Sequence, residues 1–304
     1  MKLSLTLLTP FAALFISAGQ PAAAKAGEAG KTYKVREVQD LAYVEGKDPD
    51  AGSHKLDLYL PQGNKDFPVL VFLHGGCWTF GDKSGGDLYP AFARALASHG
   101  VGVVLPNYRL SPWVKHPAHV KDAARAVAWT RKNIGKYGGN ADHLFVGGHS
   151  AGGHLAALLA TDEQYLKAEG MSRKDLRGVL SVSGVYRIPD KLVFTWAGQD
   201  SRVELQTNPF DFVFGSDPKG REAASPICHV CAGLPPFLLL YAEMDLPLIP
   251  EMTKDFDRAL KDKKCEVEMH KVEGRNHNNI VFDSTRADDP VIRALFDFIT
   301  RHEG

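Results

Sequence analysis

The chain has 304 residues, of which 44% are hydrophobic and 24% charged, so it can bury a full core. This composition excludes a disordered tail, a collagen-like repeat and a coiled coil. Lysine plus arginine and aspartate plus glutamate both number 36, which gives a formal charge of zero. Proteins that neutralise nucleic-acid phosphates normally carry a basic excess, so we expect a small partner and no nucleic acid.

Residues 1–24 have the pattern of a secretory signal peptide. Lys2 precedes an apolar stretch that Pro10 interrupts, and the segment ends in three alanines at 22–24. A charged start, a short apolar middle and a small-residue exit are typical of a cleaved leader. The apolar run is shorter than the ~18 residues that a membrane span needs. We therefore expect export to the periplasm or beyond, with no stable membrane insertion; an uncleaved anchor is the alternative.

Short apolar runs alternate with helical patterns along the rest of the chain, which predicts a mostly parallel sheet with helices on both faces. Residues 33–43 and 55–59 alternate apolar with polar and are predicted to form an antiparallel edge. A helix is predicted from about Pro117 to just before Gly138. The predicted core strands are 69–73, 101–105, 143–146, 179–182, 237–241 and 266–272. Residues 25–304 are expected to form one α/β domain with eight strands.

The segment 189–225 fits neither the helical nor the strand period. An irregular segment of this length inside a domain is usually a lid or a functional loop, so we predict a short lid insertion here. Its aromatic side chains either cover the site or pack beneath the loop; they are Phe194, Trp196, Phe210, Phe212 and Phe214.

Cys228 and Cys231 form a Cys-x-x-Cys pair. In an oxidising compartment these two thiols could join in a disulfide, and the sequence leaves this open. A metal site would need more ligands at tight spacing than His229 supplies, so no metal is expected.

A nucleophile motif lies in residues 144–153, where Gly148-x-Ser150-x-Gly152 separates a predicted strand from the helix-forming run 155–160. A sharp turn there lifts the serine hydroxyl above the sheet edge, and the flanking glycines leave room for the backbone. A phosphate-binding loop would end in Gly-Lys-Ser or Gly-Lys-Thr, which this segment lacks. We therefore predict Ser150 as a nucleophile.

A serine hydroxyl needs a base to accept its proton and a carboxylate to orient that base. Asp245 follows the apolar strand 237–241, and His277 follows the last predicted strand. The chain order Ser150, Asp245, His277 is the one expected for a triad on this kind of sheet.

Three other residues compete for these roles. Glu243 is an alternative acid, although it lies closer to the strand than Asp245 does. His270 falls within a predicted strand and His302 lies near the carboxyl terminus, so neither is expected to reach the serine.

Acyl transfer also needs backbone donors for the oxyanion of the tetrahedral intermediate. The strand 69–73 leads directly into a His-Gly-Gly-Cys-Trp segment, whose amides are little hindered by side chains. Gly76 is predicted as one donor, with either Gly75 or Cys77 beside it. The amide of Ala151, after the nucleophile, is predicted as the other.

These residues resemble those of the α/β-hydrolase superfamily. Within it, the chain is similar to the esterase and lipase branch with a His-Gly-Gly oxyanion motif, related to hormone-sensitive lipase, feruloyl and acetyl-xylan esterases, and kynurenine formamidase. The resemblance starts near residue 33 and implies Ser150 as nucleophile, Asp245 as acid and His277 as base. The matching segments are His74-Gly75-Gly76-x-Trp78, Gly81-Asp82-Lys83, Asn107-Tyr108-Arg109-Leu110, Gly148-His149-Ser150-Ala151-Gly152, Ala242-Glu243-x-Asp245 and His277. Cys77 is a departure, because many members of the hormone-sensitive lipase group have a third glycine there.

The expected activity is hydrolysis of carboxylic esters through an acyl-enzyme, with no cofactor. Short acyl or aryl esters are expected, either as small molecules or as acyl groups linked to polysaccharide. The candidate pocket residues are Trp78, Phe80, His149 and Trp196. Alternatives are an aryl formamidase or a peptidase of the same fold and, outside enzymes, a non-catalytic recognition module.

Overall fold

The predicted strands are present in the structure. The computed structural model describes residues 31–191, 193–195, 202–204 and 208–303. Its strands are β1 (Val35–Ala42), β2 (Lys55–Pro61), β3 (Phe67–Leu73), β4 (Gly102–Pro106), β5 (Gly139–His149), β6 (Gly178–Val182), β7 (Val193–Thr195), β8 (Arg202–Glu204), β9 (Phe237–Met244) and β10 (Val267–Asn276). Strands β7 and β8 pair as a small separate hairpin, and the others form one eight-stranded sheet.

The directions of the strands match the predicted architecture. The order across the sheet is β1-β2-β4-β3-β5-β6-β9-β10. Strand β2 runs antiparallel to both β1 and β4, and the remaining neighbours are parallel. The antiparallel edge and the mostly parallel core are therefore both confirmed.

Helices cover the sheet on both sides. They are α1 (Leu88–Ser98), α2 (Ala118–Asn133), α3 (Ala151–Thr161), α4 (Gln164–Ala168), α5 (Asp211–Phe214), α6 (Pro218–Ala223), α7 (Ile249–Asp262), α8 (Asn279–Phe282) and α9 (Pro290–His302). Helix α2 passes into a 3-10 turn that ends at Tyr137, as the predicted stop before Gly138 requires. Helix α3 is buried along its whole length, which its run of Ala, Gly and Leu permits.

The central strands are apolar at successive residues because both faces of the sheet are covered. Along β3, Val69 and Val71 belong to the core shared with α2 and α3. Leu70 and Phe72 belong to the core shared with α1 and α9. Alternate side chains of a strand point to opposite faces, so each face has its own core. The carboxyl ends of the parallel strands lie at one edge of the sheet, where ligand sites of such folds form.

Some predictions concern residues outside the described part of the chain. The leader, residues 1–24, and Trp196 lie outside it, as does part of the predicted lid at 189–225. In the described part of that lid, α5 and α6 follow the hairpin of β7 and β8. Among the described helices, none is both long and apolar enough to cross a membrane.

Candidate active site

Ser150 lies in a tight turn between β5 and α3. Its φ of 54° and ψ of −115° place it in a strained backbone conformation, as expected for a serine lifted above the sheet edge. Gly152 permits this turn, because a Cβ atom there would lie 2.0 Å from the carbonyl oxygen of Leu73 in β3. The strand and helix can therefore approach closely only with glycine at this position.

The structure brings the three predicted triad residues into one hydrogen-bonded line. His277 Nε2 lies 2.9 Å from Ser150 Oγ, and His277 Nδ1 lies 2.6 Å from Asp245 Oδ1. An ionised carboxylate only accepts, so the proton of the neutral imidazole is on Nδ1. His277 Nε2 is then free to accept from the serine hydroxyl.

Asp245 is held by further donors around its carboxylate. Ser183 Oγ and the amide of Ala242 donate to Oδ2 at 2.6 and 2.9 Å, and the amide of Leu246 donates to Oδ1 at 2.8 Å. Burial acts to raise the pKa of Asp245, but the hydrogen bonds from His277, Ser183 and Ala242 outweigh it and hold that pKa below its usual value. The carboxylate is therefore stabilised in the ionised form that orients His277.

The competing residues lie elsewhere. Glu243 Oε2 accepts from the amide of Gly274 at 2.9 Å, and its side chain is exposed. His270 is exposed beside Glu268, and His302 bonds to Phe298 within α9. The structure thus places Asp245, and not Glu243, against His277.

The turn after β3 lies beside the serine, since Cys77 and Ser150 line the same cavity. The amide of Gly75 donates to the hydroxyl of Tyr89 at 2.7 Å. No described residue accepts from the amides of Gly76 and Cys77. Because the Gly75 amide is already engaged, the structure favours Cys77 over Gly75 as the partner of Gly76, and the donor assignment stays a prediction. Ala151 is the first residue of α3, so its amide has no intrahelical acceptor.

Gly76 and His74 determine the shape of this turn. Gly76 has a φ of 114°, and a Cβ atom there would lie 1.9 Å from the carbonyl oxygen of Phe80. His74 Nδ1 donates to the Gly75 carbonyl at 2.7 Å, and its ring stacks on Tyr108. Burial lowers the pKa of His74 to about 4, so the ring is neutral near pH 7. The histidine of the motif therefore holds the backbone and does not point at the serine.

A cavity of about 610 Å³ opens onto Ser150 and His277. A volume of this size is typical of sites for small molecules. The described lining residues include no charged side chain; besides those two they are Cys77, Trp78, Thr79, Val185, Pro209, Phe210, Phe212, Val213, Leu246, Pro247, Leu248, Ile249 and Met252. The wall is therefore suited to an uncharged, largely apolar group.

Of the four predicted pocket residues, the structure places Trp78 in the cavity wall and Phe80 and His149 outside it. Trp78 lines the cavity and donates from its indole nitrogen to His154 Nδ1 at 3.2 Å. Phe80 does not line it: its amide bonds to the Gly76 carbonyl, and its side chain is 63% exposed. His149 is 97% buried and is not among the residues that line the cavity; its Nε2 lies 2.7 Å from the His277 carbonyl oxygen. Trp196 lies outside the described residues.

The described aromatic side chains of the predicted lid have two roles, whereas those of Phe194 and Trp196 lie outside the described part. Phe214 is buried and packs edge-on against Trp78 with the ring centroids 4.9 Å apart. Phe212 is half exposed and lines the cavity. The described part of this segment thus contributes both to the core and to the cavity wall.

Two residues near the site were missed by the sequence analysis. Ser183 follows β6 directly, and a polar residue at the carboxyl end of a parallel strand is a signal that could have identified it. Tyr89 lies in the first turn of α1, where no motif marks it.

The four cysteines are free thiols, so Cys228 and Cys231 are not joined. Arg173 Nη1 instead lies 2.9 Å from Cys231 Sγ. Over the described ranges, no group of three or more His, Cys, Asp or Glu side chains is arranged to hold a metal ion.

The chain is similar in sequence to proteins named as esterases. The chain is 32% identical over 243 residues to esterase LipQ of Mycobacterium tuberculosis. The alignment covers 76% of this chain and 55% of LipQ. The chain is 30% identical over 249 residues to esterase LipC of the same organism, covering 78% and 59%. The chain thus spans little more than half the length of these relatives.

The fold is shared with solved esterases. A truncated carbohydrate esterase from gut microbiota superposes with a TM-score of 0.73 at 19% identity, covering 91% of this chain and 99% of that one. Residues 56–260 match the family model BD-FAE, which is more than half of the chain. The chain therefore belongs to the BD-FAE family, within the α/β-hydrolase superfamily.

Proposed function

We propose that this protein is a serine hydrolase that cleaves uncharged carboxylic esters through an acyl-enzyme. The observation that carries the proposal is the line from Ser150 Oγ through His277 to Asp245, with contacts of 2.9 and 2.6 Å, at the wall of an uncharged cavity. The names of the esterase relatives support the same reaction.

The proton path follows from the donors and acceptors. Ser150 Oγ attacks the ester carbonyl while His277 Nε2 accepts its proton, and the imidazolium formed is stabilised by Asp245. His277 then returns the proton to the leaving alcohol. A water molecule attacks the acyl-enzyme with the same base, and Ser150 is released.

The negative charge of the tetrahedral intermediate is stabilised by backbone amides. We assign this role to Gly76, Cys77 and Ala151, with the amino terminus of α3 adding a favourable dipole. Losing one such donor typically costs about 3 kcal/mol of transition-state stabilisation.

The substrates we propose are short acyl or aryl esters, including acyl groups on polysaccharide. An apolar wall favours a neutral acyl or aryl group, because a charged group would lose hydration without a partner. The carbohydrate esterase among the structural neighbours is consistent with a polysaccharide-linked ester.

A fluorophosphonate probe and a chain-length series of p-nitrophenyl esters test the proposal. We expect wild-type protein to be labelled and Ser150→Ala to lose labelling and about 10⁶-fold of its hydrolysis. Ser98→Ala is the matched control, since that hydroxyl donates only to a carbonyl within α1. Absence of wild-type labelling would favour a recognition module. Preference for aryl formamides or peptides over esters would overturn the substrate class.

Export is a further proposal, supported by the leader pattern of residues 1–24. Amino-terminal sequencing of protein from fractionated bacterial cells should find a chain that begins at Lys25 outside the cytoplasm. An intact amino terminus in the cytoplasmic fraction would contradict it.

A further inference from the structure

Two buried side chains connect the turn after β3, residues 74–77, to the backbone of His277. We call these residues the oxyanion turn. The amide of Gly75 lies 2.7 Å from Tyr89 Oη, which lies 3.3 Å from His149 Nδ1. His149 Nε2 lies 2.7 Å from the carbonyl oxygen of His277. The contacts form a chain from one side of Ser150 to the other.

Each donor in this chain can be assigned from chemistry alone. The His277 carbonyl only accepts, so His149 carries its proton on Nε2 and presents a lone pair at Nδ1. Tyr89 must then donate its hydroxyl proton to His149 Nδ1. The oxygen of Tyr89 is left to accept from the amide of Gly75. The three hydrogen bonds are therefore all donated in the same direction, from Gly75 through Tyr89 and His149 to the His277 carbonyl.

The surroundings keep this arrangement fixed. Burial, with a smaller contribution from the nearby His277, lowers the pKa of His149 to about 3, so its ring stays neutral near pH 7. Phe282 of α8 packs edge-on against both rings, with centroids 5.4 Å from Tyr89 and 5.9 Å from His149. His149 is also the middle residue between Gly148 and Ser150, so its backbone belongs to the nucleophile turn.

This chain of contacts also explains Gly75, whose amide is not free for an oxyanion. A Cβ atom at position 75 would lie 3.0 Å from His149 Nδ1 and 3.2 Å from Tyr89 Oη. A side chain there would press on both members of the chain, so glycine leaves them room to meet.

We propose that Tyr89 and His149 are positioning residues that hold the oxyanion turn and the His277 loop in register around Ser150. Neither residue is among those that line the cavity, and the His149 ring packs against the His277 ring with the centroids 4.9 Å apart. Their role rests on the proposed serine-hydrolase function, and it is exerted on kcat because misplacing a reacting group raises the barrier without weakening ground-state binding.

Two substitutions at position 149 separate the contacts. In His149→Gln, the longer amide can present an N–H near the position of Nε2 and keep the bond to the His277 carbonyl. In His149→Asn, the amide is too short to reach that carbonyl. We expect Asn to lower kcat about tenfold or more with KM within about twofold, and Gln to restore kcat to within about threefold of wild type.

Tyr89→Phe removes one oxygen and leaves the ring in place. We expect it to lower kcat about threefold or more, and the double variant with His149→Asn to lose less than the product of the two single losses. Tyr59→Phe is the matched control, because Tyr59 is buried in the same core and its hydroxyl has no hydrogen-bond partner among the described residues. It should leave kcat unchanged.

The outcomes separate this proposal from the proposed function. If wild-type protein hydrolyses esters and is labelled by fluorophosphonate, but His149→Asn and Tyr89→Phe fold and keep wild-type kcat, the positioning role is overturned alone. Equal losses in Asn and Gln, or losses that multiply in the double variant, also overturn it. A wild-type protein that is neither active nor labelled overturns both proposals.

Discussion

Ser183 Oγ donates a 2.6 Å hydrogen bond to Oδ2 of Asp245, while His277 occupies Oδ1 of the same carboxylate. Ser183 has a φ of 50°, so it is held in a backbone conformation that residues other than glycine seldom adopt. The backbone after β6 is thus strained at Ser183, and this conformation places the Ser183 hydroxyl against the Asp245 carboxylate.

Ser183→Ala should lower kcat about tenfold, because Asp245 loses one donor to Oδ2 and with it part of its fixed orientation. Its free energy of unfolding should fall by about 1.5 to 3 kcal/mol, as for other hydrogen bonds to charged groups. Ser183→Gly removes the same hydroxyl and relieves the strain at positive φ.

Comparing Ser183→Ala with Ser183→Gly therefore separates the effect of losing the hydroxyl from the effect of the strained backbone. We expect Ala and Gly to lose activity equally, and Gly to be about 1 kcal/mol more stable in urea unfolding. Full activity in either variant would show that the Ser183 hydroxyl does not help to orient Asp245.

Asp245→Asn should leave a folded protein with kcat reduced about 10⁴-fold. The donors Ser183 and Ala242 both point at Oδ2, so the amide oxygen of Asn should lie there and its NH₂ group should face His277. His277 Nδ1 would then have to accept, which moves the imidazole proton to Nε2 and removes the base from Ser150.

Glu243→Gln is the matched control for that substitution. Glu243 lies at the end of the same strand, and glutamine can still accept from the amide of Gly274. Steady-state kinetics should show wild-type rates for it. A comparable loss in both variants would point to Glu243 as the orienting acid.

The sequence could predict the triad because each of its members follows a predicted strand, and Ser150 also lies in a Gly-x-Ser-x-Gly motif. Ser150, Asp245 and His277 meet because the carboxyl ends of parallel strands share one edge. The role of Gly75 could not be predicted, because its amide is taken by Tyr89 of α1, a contact that no local pattern encodes. Phe80 follows the His-Gly-Gly motif closely in sequence, but the bond from its amide to the Gly76 carbonyl closes the turn and leaves the ring exposed.

Gly76→Ala should lower kcat by about 10² to 10³ with a smaller effect on KM. A Cβ atom there would overlap the Phe80 carbonyl, so the turn must shift and carry the amides of Gly76 and Cys77 away from the oxyanion. Gly63→Ala is the control, because Gly63 also has positive φ but has open space around its Cβ position.

Both glycine substitutions carry a backbone cost of about 1 kcal/mol, so thermal unfolding should detect both. Only Gly76→Ala should also lose activity in a p-nitrophenyl ester assay. If Gly76→Ala keeps wild-type kcat, the oxyanion donors lie elsewhere.

Stability should fall as the pH is lowered from 7 to 5, because burial lowers the pKa of five histidines in the described part of the chain. The pKa falls to about 4 for His74, His116 and His119 and to about 3 for His149 and His154. Their pKa in the unfolded chain is near 6.5. Between these values the unfolded state binds protons that the native state does not, so the free energy of unfolding decreases as pH falls. Each group can contribute at most about 1.4 kcal/mol per pH unit.

His154→Gln tests this assignment, since glutamine can still donate to the Ala224 carbonyl that His154 Nε2 contacts at 2.7 Å, but does not titrate. The variant should lose stability at pH 7, because the Trp78 indole loses its acceptor, yet its melting temperature should fall less steeply with pH than that of wild type. His270→Gln, at an exposed position on β10, should leave the steepness unchanged. If His154→Gln is as steep as wild type, protonation of His154 is not part of the acid transition. The loss between pH 7 and 5 must then come from the other buried histidines. Asp245 cannot account for it, because its pKa in the folded protein is lowered and its stabilising contribution is lost only at more acidic pH.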